Sequence, residues 1–491
     1  MTIRPARRAW LSFLLAVCAS IFAWTVFAPG VLSVDSFYFL TQATYAVYSD
    51  MHGLLLPALL GGLFKIGGNL RLLMLVQCIA GFFGVRALSL AVPQILQAPS
   101  WARDAAASFL VILLASPLTP FAIYAMTIWT DTWLSILLTW MLALIVRLRL
   151  WVPPGGHDFS RALVICGIAL LFVAALLVRP NTFLLFPAFV ALVVAAMPRV
   201  ASPRAAMLAL VLAVPAAYLA ATQVLYRVLD AERMHPERAV FAMDLASMYL
   251  LRPVLCQANT PELTSTCQTV YQDFRPGFIP GNGAIDFTYN QGEWVVYIGF
   301  LRLVEDPNLG AALRAAVRRS PATLLRAKVL NYLDYLRPDP ERYFFAHKIP
   351  RNQLGVMYDA RFTRAREGYF AAAEQTAKHP VRRWFSFVHN VWLIADLALV
   401  AGFALLAVRW SSRRAAFLAW MSVLPLAYYG SYLVALTASD FRFMYPATLI
   451  TQVMLITVLI QSALRFGQRE VIRVATDRCA ATRVGHSLPS S

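Results

Sequence analysis

Apolar residues run along this chain in blocks of about 18 to 24, separated by short polar segments. A block of that length spans a bilayer as a helix. Lipid offers no partners to backbone N–H and C=O groups, so such runs are helical, and they are too long for the strands of a barrel. The predicted fold class is an all-α polytopic membrane protein. Candidate spans are 10–30, 70–92, 104–121, 126–148, 161–178, 183–197, 204–226, 387–408, 415–436 and 444–464. A further run, "GLLLPALLGGLFKIGG" at 53–68, is short and contains Pro57, Gly61 and Gly62. It is either a re-entrant or interfacial segment or a short full crossing, which gives about ten or eleven transmembrane helices.

Between residues 227 and 386 the pattern becomes mixed and Pro-rich. The expected organisation is an N-terminal transmembrane core (1–226) with a first outer loop (31–52), then a mainly helical extracytoplasmic loop domain (227–386). C-terminal transmembrane helices (387–465) and a basic cytoplasmic tail (466–491) follow. Residues 308–336 predict two amphipathic helices, broken at Ser320-Pro321, lying on the membrane surface over the spans.

Composition agrees: 59% of residues are hydrophobic and 14% charged. A net charge of +18 would suggest a nucleic-acid partner in a soluble protein. Here much of the excess sits in short loops beside apolar runs, where positive charge sets orientation, and no nucleic-acid motif is present. Arg147, Arg149 and Arg161 mark one cytoplasmic loop, Arg199 and Arg204 a second, and Arg409, Arg413 and Arg414 a third. The tail adds Arg465, Arg469, Arg473, Arg478 and Arg483. Both termini then lie inside, and the first loop, Asp131, Arg179 and Asp440 lie outside. Arg4, Arg7 and Arg8 precede a first run without a small-residue cleavage site, which reads as an uncleaved helix. Cys256 and Cys267 fall in the loop domain. An oxidising compartment would join them, and a reducing one would leave two thiols.

The first loop, "SVDSFYFLTQATYAVYSDMHG" at 33–53, carries Asp35, Asp50 and His52 but no Lys or Arg. As a helix it puts Asp35, Tyr38, Gln42, Tyr45 and Ser49 on one polar face, with Phe37, Thr44 and Tyr48 opposite. Asp35 is then either the N-cap or a carboxylate that no nearby basic residue occupies, available to accept a proton. Asp131 in "TIWTDTW" is a cap or a functional boundary acid. Arg179 in "LLVRPNTF", with no other charge near it in sequence, snorkels to headgroups or binds an anion. "ASDFRFMYP" brings Asp440 and Arg442 to the same level. Acids and arginines at one depth outline a site for an anionic, hydroxyl-bearing substrate, with Arg suited to bidentate phosphate binding. His52, two residues after Asp50, either assists a metal or sits at the interface, since no HExxH, CxxC or comparable ligand set accompanies it. The chain has no P-loop, GxSxG or dinucleotide fingerprint, which argues against an ATP-driven pump or a soluble-type hydrolase.

Together, "VDSFYFLTQA", "SDMHGLLLP", "IWTD", "RPN" and "DFRFMYP" after an uncleaved first span resemble the GT-C superfamily of polytopic membrane glycosyltransferases. The branch most resembled is that of the bacterial protein mannosyltransferases and lipid A aminoarabinose transferases. The resemblance implies a multi-pass enzyme of the bacterial inner membrane with its large loop periplasmic. It implies transfer, with inversion, of a sugar from a polyprenyl-phosphate carrier to an envelope glycolipid, glycan or protein. Asp35 would be the catalytic base, and Asp50, His52, Asp131, Arg179, Asp440 and Arg442 would bind substrate. The chain departs from the family pattern at Asp35-Ser36, where "DE" or "DxD" is common, and at "HGLLLP", where paired prolines are common. No cofactor is fixed by these motifs, and a divalent metal stays an open option. The rival is a transporter or flippase of a charged lipid or glycan precursor, and a third reading is a scaffold. Transporters place acids in mid-span, whereas the acids here are expected to gather at one surface, which favours the enzyme.

Overall fold

The computed structural model describes residues 10–51, 53–150, 158–197, 203–256, 266–270, 272, 301–336, 349, 352–386, 388–435 and 444–484. The protein is a helical polytopic membrane protein. Among the described residues there is no strand, only two isolated bridges, Val31 with Thr127 and Ser49 with Glu232.

Among the described residues seven helices are long and apolar enough to cross a bilayer. They are α1 (Trp10–Phe27), α4 (Leu70–Ile95), α7 (Thr130–Leu150), α10 (Pro203–Leu229), α15 (His389–Arg409), α16 (Arg413–Ala435) and the first half of α17 (Tyr445–Val484). Between them lie α2 (Val34–Tyr45), α3 (Leu55–Lys65), α5 (Ser100–Ala115), α6 (Phe121–Ala125), α8 (Asp158–Val178) and α9 (Phe186–Ala196). The run at 53–68 becomes α3, whose 11 residues cover about 16 Å. That is about half of a hydrocarbon core, so α3 does not cross by itself.

The spans predicted at 126–148 and 183–197 are interrupted at their starts, for local reasons. The span at 126–148 starts only at Thr130, because Met126 closes the short helix Phe121–Ala125 in a turn and residues 126–129 pair with the first loop: Val31 N–H donates to Met126 C=O at 2.7 Å. The span at 183–197 opens as a 3₁₀ turn, Pro180–Leu185, before α9. Arg179 is extended, with φ −147°, and Pro180 has no N–H to continue α8.

α4 packs on α1, α5 and α7, and α7 packs on α8. α17 enters this group from the C-terminal side, touching α4, α5 and α7 as well as α15 and α16. α10 lies at the periphery with a long apolar face exposed, including Leu208, Leu212, Leu219 and Val228. Lipid is the natural cover for such a face. α17 is one continuous helix of 40 residues, so positions 466–484 of the expected tail extend the last span as helix. Residues 485–491 lie outside the described residues.

Between α10 and α15 the described helices are α11 (Glu237–Leu251), α12 (Leu309–Arg319), α13 (Pro321–Tyr335) and α14 (Thr363–Lys378). The break expected at Ser320-Pro321 is present, with Pro321 opening α13. Both halves lie against protein: α12 and α13 on α11, and α13 also on α16. Lys328 of α13 pairs with Asp244 of α11 at 2.8 Å and donates to the Val434 carbonyl at the end of α16. α14 docks elsewhere, on α1 and α5. Tyr369 O–H donates to Ala115 C=O at 3.1 Å, and its ring and that of Phe370 pack edge-on against Phe27.

Cys256 and Cys267 are joined, with Cα atoms 5.6 Å apart. Thiol titration of the denatured, unreduced protein is expected to find both blocked, and two reactive thiols at these positions would contradict the bond.

Candidate functional site

The first loop is tied down along its whole length. Ser33 and Ser36 form a capping box: Ser36 N–H donates to Ser33 Oγ at 3.3 Å, and Ser33 N–H donates to Ser36 Oγ at 3.1 Å. The N-cap of α2 is therefore Ser33. Asp35 sits one residue inside the helix, in its first turn and partly buried. The same serines hold the helix to the segment before α7. Trp129 Nε1–H donates to Ser33 Oγ at 2.6 Å, and Ser36 O–H donates to Ile128 C=O at 3.3 Å. Gln77 fixes that segment from below, donating to Ala125 and Thr127 carbonyls at 2.8 and 2.9 Å. Asp35 and Asp131 thus lie on two segments stitched together at 33–36 and 128–129.

α2 ends at Tyr45, and Ala46 turns the chain with φ +54°. The expected helix through Ser49 is therefore too long by a turn. The polar face is still assembled, because the chain doubles back: Ser49 N–H donates to Gln42 Oε1 at 3.0 Å, and the Ser49 hydroxyl bonds Tyr38. Tyr48 turns inward against Gly61, where a Cβ would meet its hydroxyl at 2.2 Å.

Both oxygens of Asp50 have partners in the chain. Met234 N–H donates to Oδ1 at 2.6 Å, and Tyr226 O–H donates to Oδ2. Its backbone N–H donates to Glu232 C=O at 3.2 Å, and Glu232 N–H returns to Tyr48 C=O at 2.9 Å. In this arrangement Asp50 anchors the loop to the end of α10. Three residues on, Gly53 has φ +88°, and a Cβ there would lie 2.6 Å from the Val178 carbonyl oxygen and 2.9 Å from that of Leu177. The loop thus rests on the backbone leading into Arg179. Gly53→Ala is expected to cost about 1–2 kcal/mol from the left-handed conformation alone, and more from the displaced backbone. Limited proteolysis at residues 45–53 is the readout, with faster cleavage expected in the variant.

Arg179 and Asp131 form an ion pair at 2.6 Å, with side chains only 17% and 5% exposed. Arg179 Nη1 also donates to Thr130 Oγ1 at 3.3 Å. Arg179 therefore neither snorkels nor stands without a nearby charge; its partner comes from a distant helix. The phenols of Tyr335, Tyr428 and Tyr432 lie within electrostatic reach of the guanidinium. Tyr428 and Tyr432 hydroxyls are 3.0 Å apart, and Tyr335 stacks on Tyr432 and on His389, each at 6.1 Å between ring centres. A buried pair of this kind holds α7 and the end of α8 in one register.

His52, Asp440 and Arg442 lie outside the described residues. Among the described residues no group of three or more His, Cys, Asp or Glu side chains could hold a metal ion. Asp50, a natural first ligand, already has both oxygens bonded within the chain.

Several polar groups escape the sequence reading. Tyr428 and Tyr432 are an i, i+4 pair in "AYYGSY" that a search confined to charges passes over. Asp396, in the apolar run "LIADLALV" of α15, is fully buried. At the other end of the bundle Ser12 O–H donates to Asp104 Oδ1 at 2.5 Å, and Arg86 Nε–H donates to Ser12 Oγ at 3.0 Å. Asp396 and Asp104 correct the expectation that the acids gather at one surface.

Fold and geometry define a helical polytopic membrane protein with an ordered acidic loop seated over a buried ion pair. No family model and no curated protein matches the chain. Among solved structures it is similar to the archaeal oligosaccharyltransferase AglB from Archaeoglobus fulgidus in complex with an inhibitory peptide and a dolichol-phosphate. The TM-score is 0.41 at 13% identity, covering 98% of this chain and 52% of that one. This chain thus spans about half the length of that protein.

Proposed function

We propose that the protein is a membrane glycosyltransferase that moves a sugar from a polyprenyl-phosphate donor to an envelope acceptor at the outer face of the inner membrane, with Asp35 as general base. The observation that carries this reading is the position of Asp35. Ser33 and Ser36 serve the helix end, and the helix is stitched to the segment that carries Asp131.

The acceptor hydroxyl or amine gives its proton to the Asp35 carboxylate as its oxygen or nitrogen bonds to the anomeric carbon. The bond from that carbon to the phosphate oxygen breaks, and polyprenyl phosphate leaves with the electron pair. Attack opposite the leaving group inverts the anomeric centre. Asp35 then returns the proton to water. Arg442 is the proposed ligand of the donor phosphate, because a planar guanidinium matches phosphate oxygens and stabilises charge as it develops. Arg179, compensated by Asp131, positions α7 and α8 around the site.

The transporter reading gains one observation, the buried Asp396 within a span. The two are separated in liposomes containing the purified protein and a panel of polyprenyl-phosphate hexoses and aminosugars. The transferase reading expects free polyprenyl phosphate and a glycosylated acceptor. Movement of intact donor between leaflets, with no polyprenyl phosphate released, would overturn it in favour of the flippase.

A further inference from the structure

Asp396 lies seven residues along α15 from His389, about 10 Å deeper in the bundle. It is 0% exposed, and neither of its oxygens meets a hydrogen-bond partner. Its polar neighbour is Thr451 of α17, whose hydroxyl lies close enough to interact with the carboxylate without a hydrogen bond of ordinary geometry. The facing titratable group from α16 is Tyr429, with Tyr332 of α13 beyond it. On its own helix the nearest titratable groups are His389 and, 13 residues or about 20 Å away, Arg409. Arg413 and Arg414 open α16, 15 or more residues before Tyr429, while Arg179, already paired with Asp131, lies towards Tyr428 and Tyr432 of the same helix. An ionised carboxylate enclosed by hydroxyls and apolar groups is far costlier than a neutral carboxylic acid, which can also donate to a hydroxyl.

A chain of polar groups leads to it. His389 Nδ1 and the Tyr429 hydroxyl both lie 2.7 Å from Thr448 Oγ1, and Tyr429 is within electrostatic reach of Asp396. His389 stacks on Tyr335, which stacks on Tyr432 beside Arg179.

We propose that Asp396 is a proton-binding site inside the membrane bundle, loaded through His389, Thr448 and Tyr429. Protonated His389 passes its Nδ1 proton to Thr448 Oγ1, Thr448 passes its own to the Tyr429 oxygen, and Tyr429 passes its own to the Asp396 carboxylate once a side-chain rotation of Asp396 brings the two within hydrogen-bond distance. The net change is imidazolium plus carboxylate going to imidazole plus carboxylic acid, with only N–H and O–H bonds made and broken. The site stands apart from the transferase reading, since Asp35 sits on another helix and neither assignment uses the other.

The experiment is infrared difference spectroscopy of the purified protein in lipid nanodiscs, comparing wild type with Asp396→Asn and His389→Gln across a pH series and in D₂O. The wild type is expected to show a protonated-carboxyl C=O band at neutral pH that Asp396→Asn removes. His389→Gln is expected to keep the band and slow its exchange in D₂O by tenfold or more. The proposal is overturned by identical spectra for wild type and Asp396→Asn, or by a band that disappears on adding sodium or potassium, which would mark a metal-cation site. Unchanged exchange in His389→Gln would overturn the route. If Asp396→Asn does not insert, the wild-type pH series and the His389→Gln exchange still read the band, and its absence from both overturns the site.

Discussion

Asp35→Asn is expected to insert and fold like wild type and to lose sugar transfer by about two to four orders of magnitude, the usual contribution of general acid–base catalysis. The fold is expected to survive because the end of α2 belongs to the Ser33–Ser36 box and not to residue 35. Asn also keeps the size of the side chain and one acceptor oxygen. What it loses is the ability to take a proton. The matched control is Ser33→Ala, which removes the cap and the acceptor of the Trp129 bond while leaving the carboxylate. It is expected to cost about 1 kcal/mol of stability with a much smaller loss of rate. Near-normal transfer by Asp35→Asn in the reconstituted assay, or an equal loss in both variants, would remove Asp35 from the chemistry.

The second large effect is expected at Asp131 and Arg179. Removing one partner of a buried ion pair leaves the other uncompensated, at a cost of about 3–5 kcal/mol. Asp131→Asn and Arg179→Gln are each expected to lower yield and thermal stability sharply. The double variant, with neither charge, is expected to recover much of the loss, because the penalty comes from an isolated charge and not from the absence of the pair. Thermal unfolding in detergent, followed by tryptophan fluorescence, gives the cycle. Additive single losses in the double variant would mean that the two side chains act separately.

The long spans are legible in the sequence because an apolar run such as 70–92 or 444–464 has one solution in lipid, and the helices Leu70–Ile95 and Tyr445–Val484 follow from it. Pairings between spans are not legible. Arg179 bonds a hydroxyl 49 positions away, and the apolar residues between them carry no record of which helix faces which. The cap of α2 misleads for another reason. Asp35 and Ser33 are both favoured caps, and the reciprocal partner of Ser33 is Ser36 in place of the usual Glu or Gln. Asp396 stays hidden because one acid barely lowers the mean hydropathy of a 21-residue apolar helix. The glycines of "MHG" and "LLGG" give no sign in the sequence of what they meet: Gly53 marks backbone resting on backbone and Gly61 makes room for Tyr48.

The strapping of residues 31–53 has an entropic consequence. The stretch is fixed to residues 126–129 at one end and to Tyr226 and Glu232 near the other, and Gly53 lies close against the carbonyls of Leu177 and Val178. A loop of this length held at one end only would lose about 1–2 kcal/mol of backbone freedom per residue on ordering, and a ligand that ordered it would bind more weakly by that sum. Here the ordering belongs to the folding of the chain, so a ligand of α2, where the proposed assignment puts one, would not bear that cost.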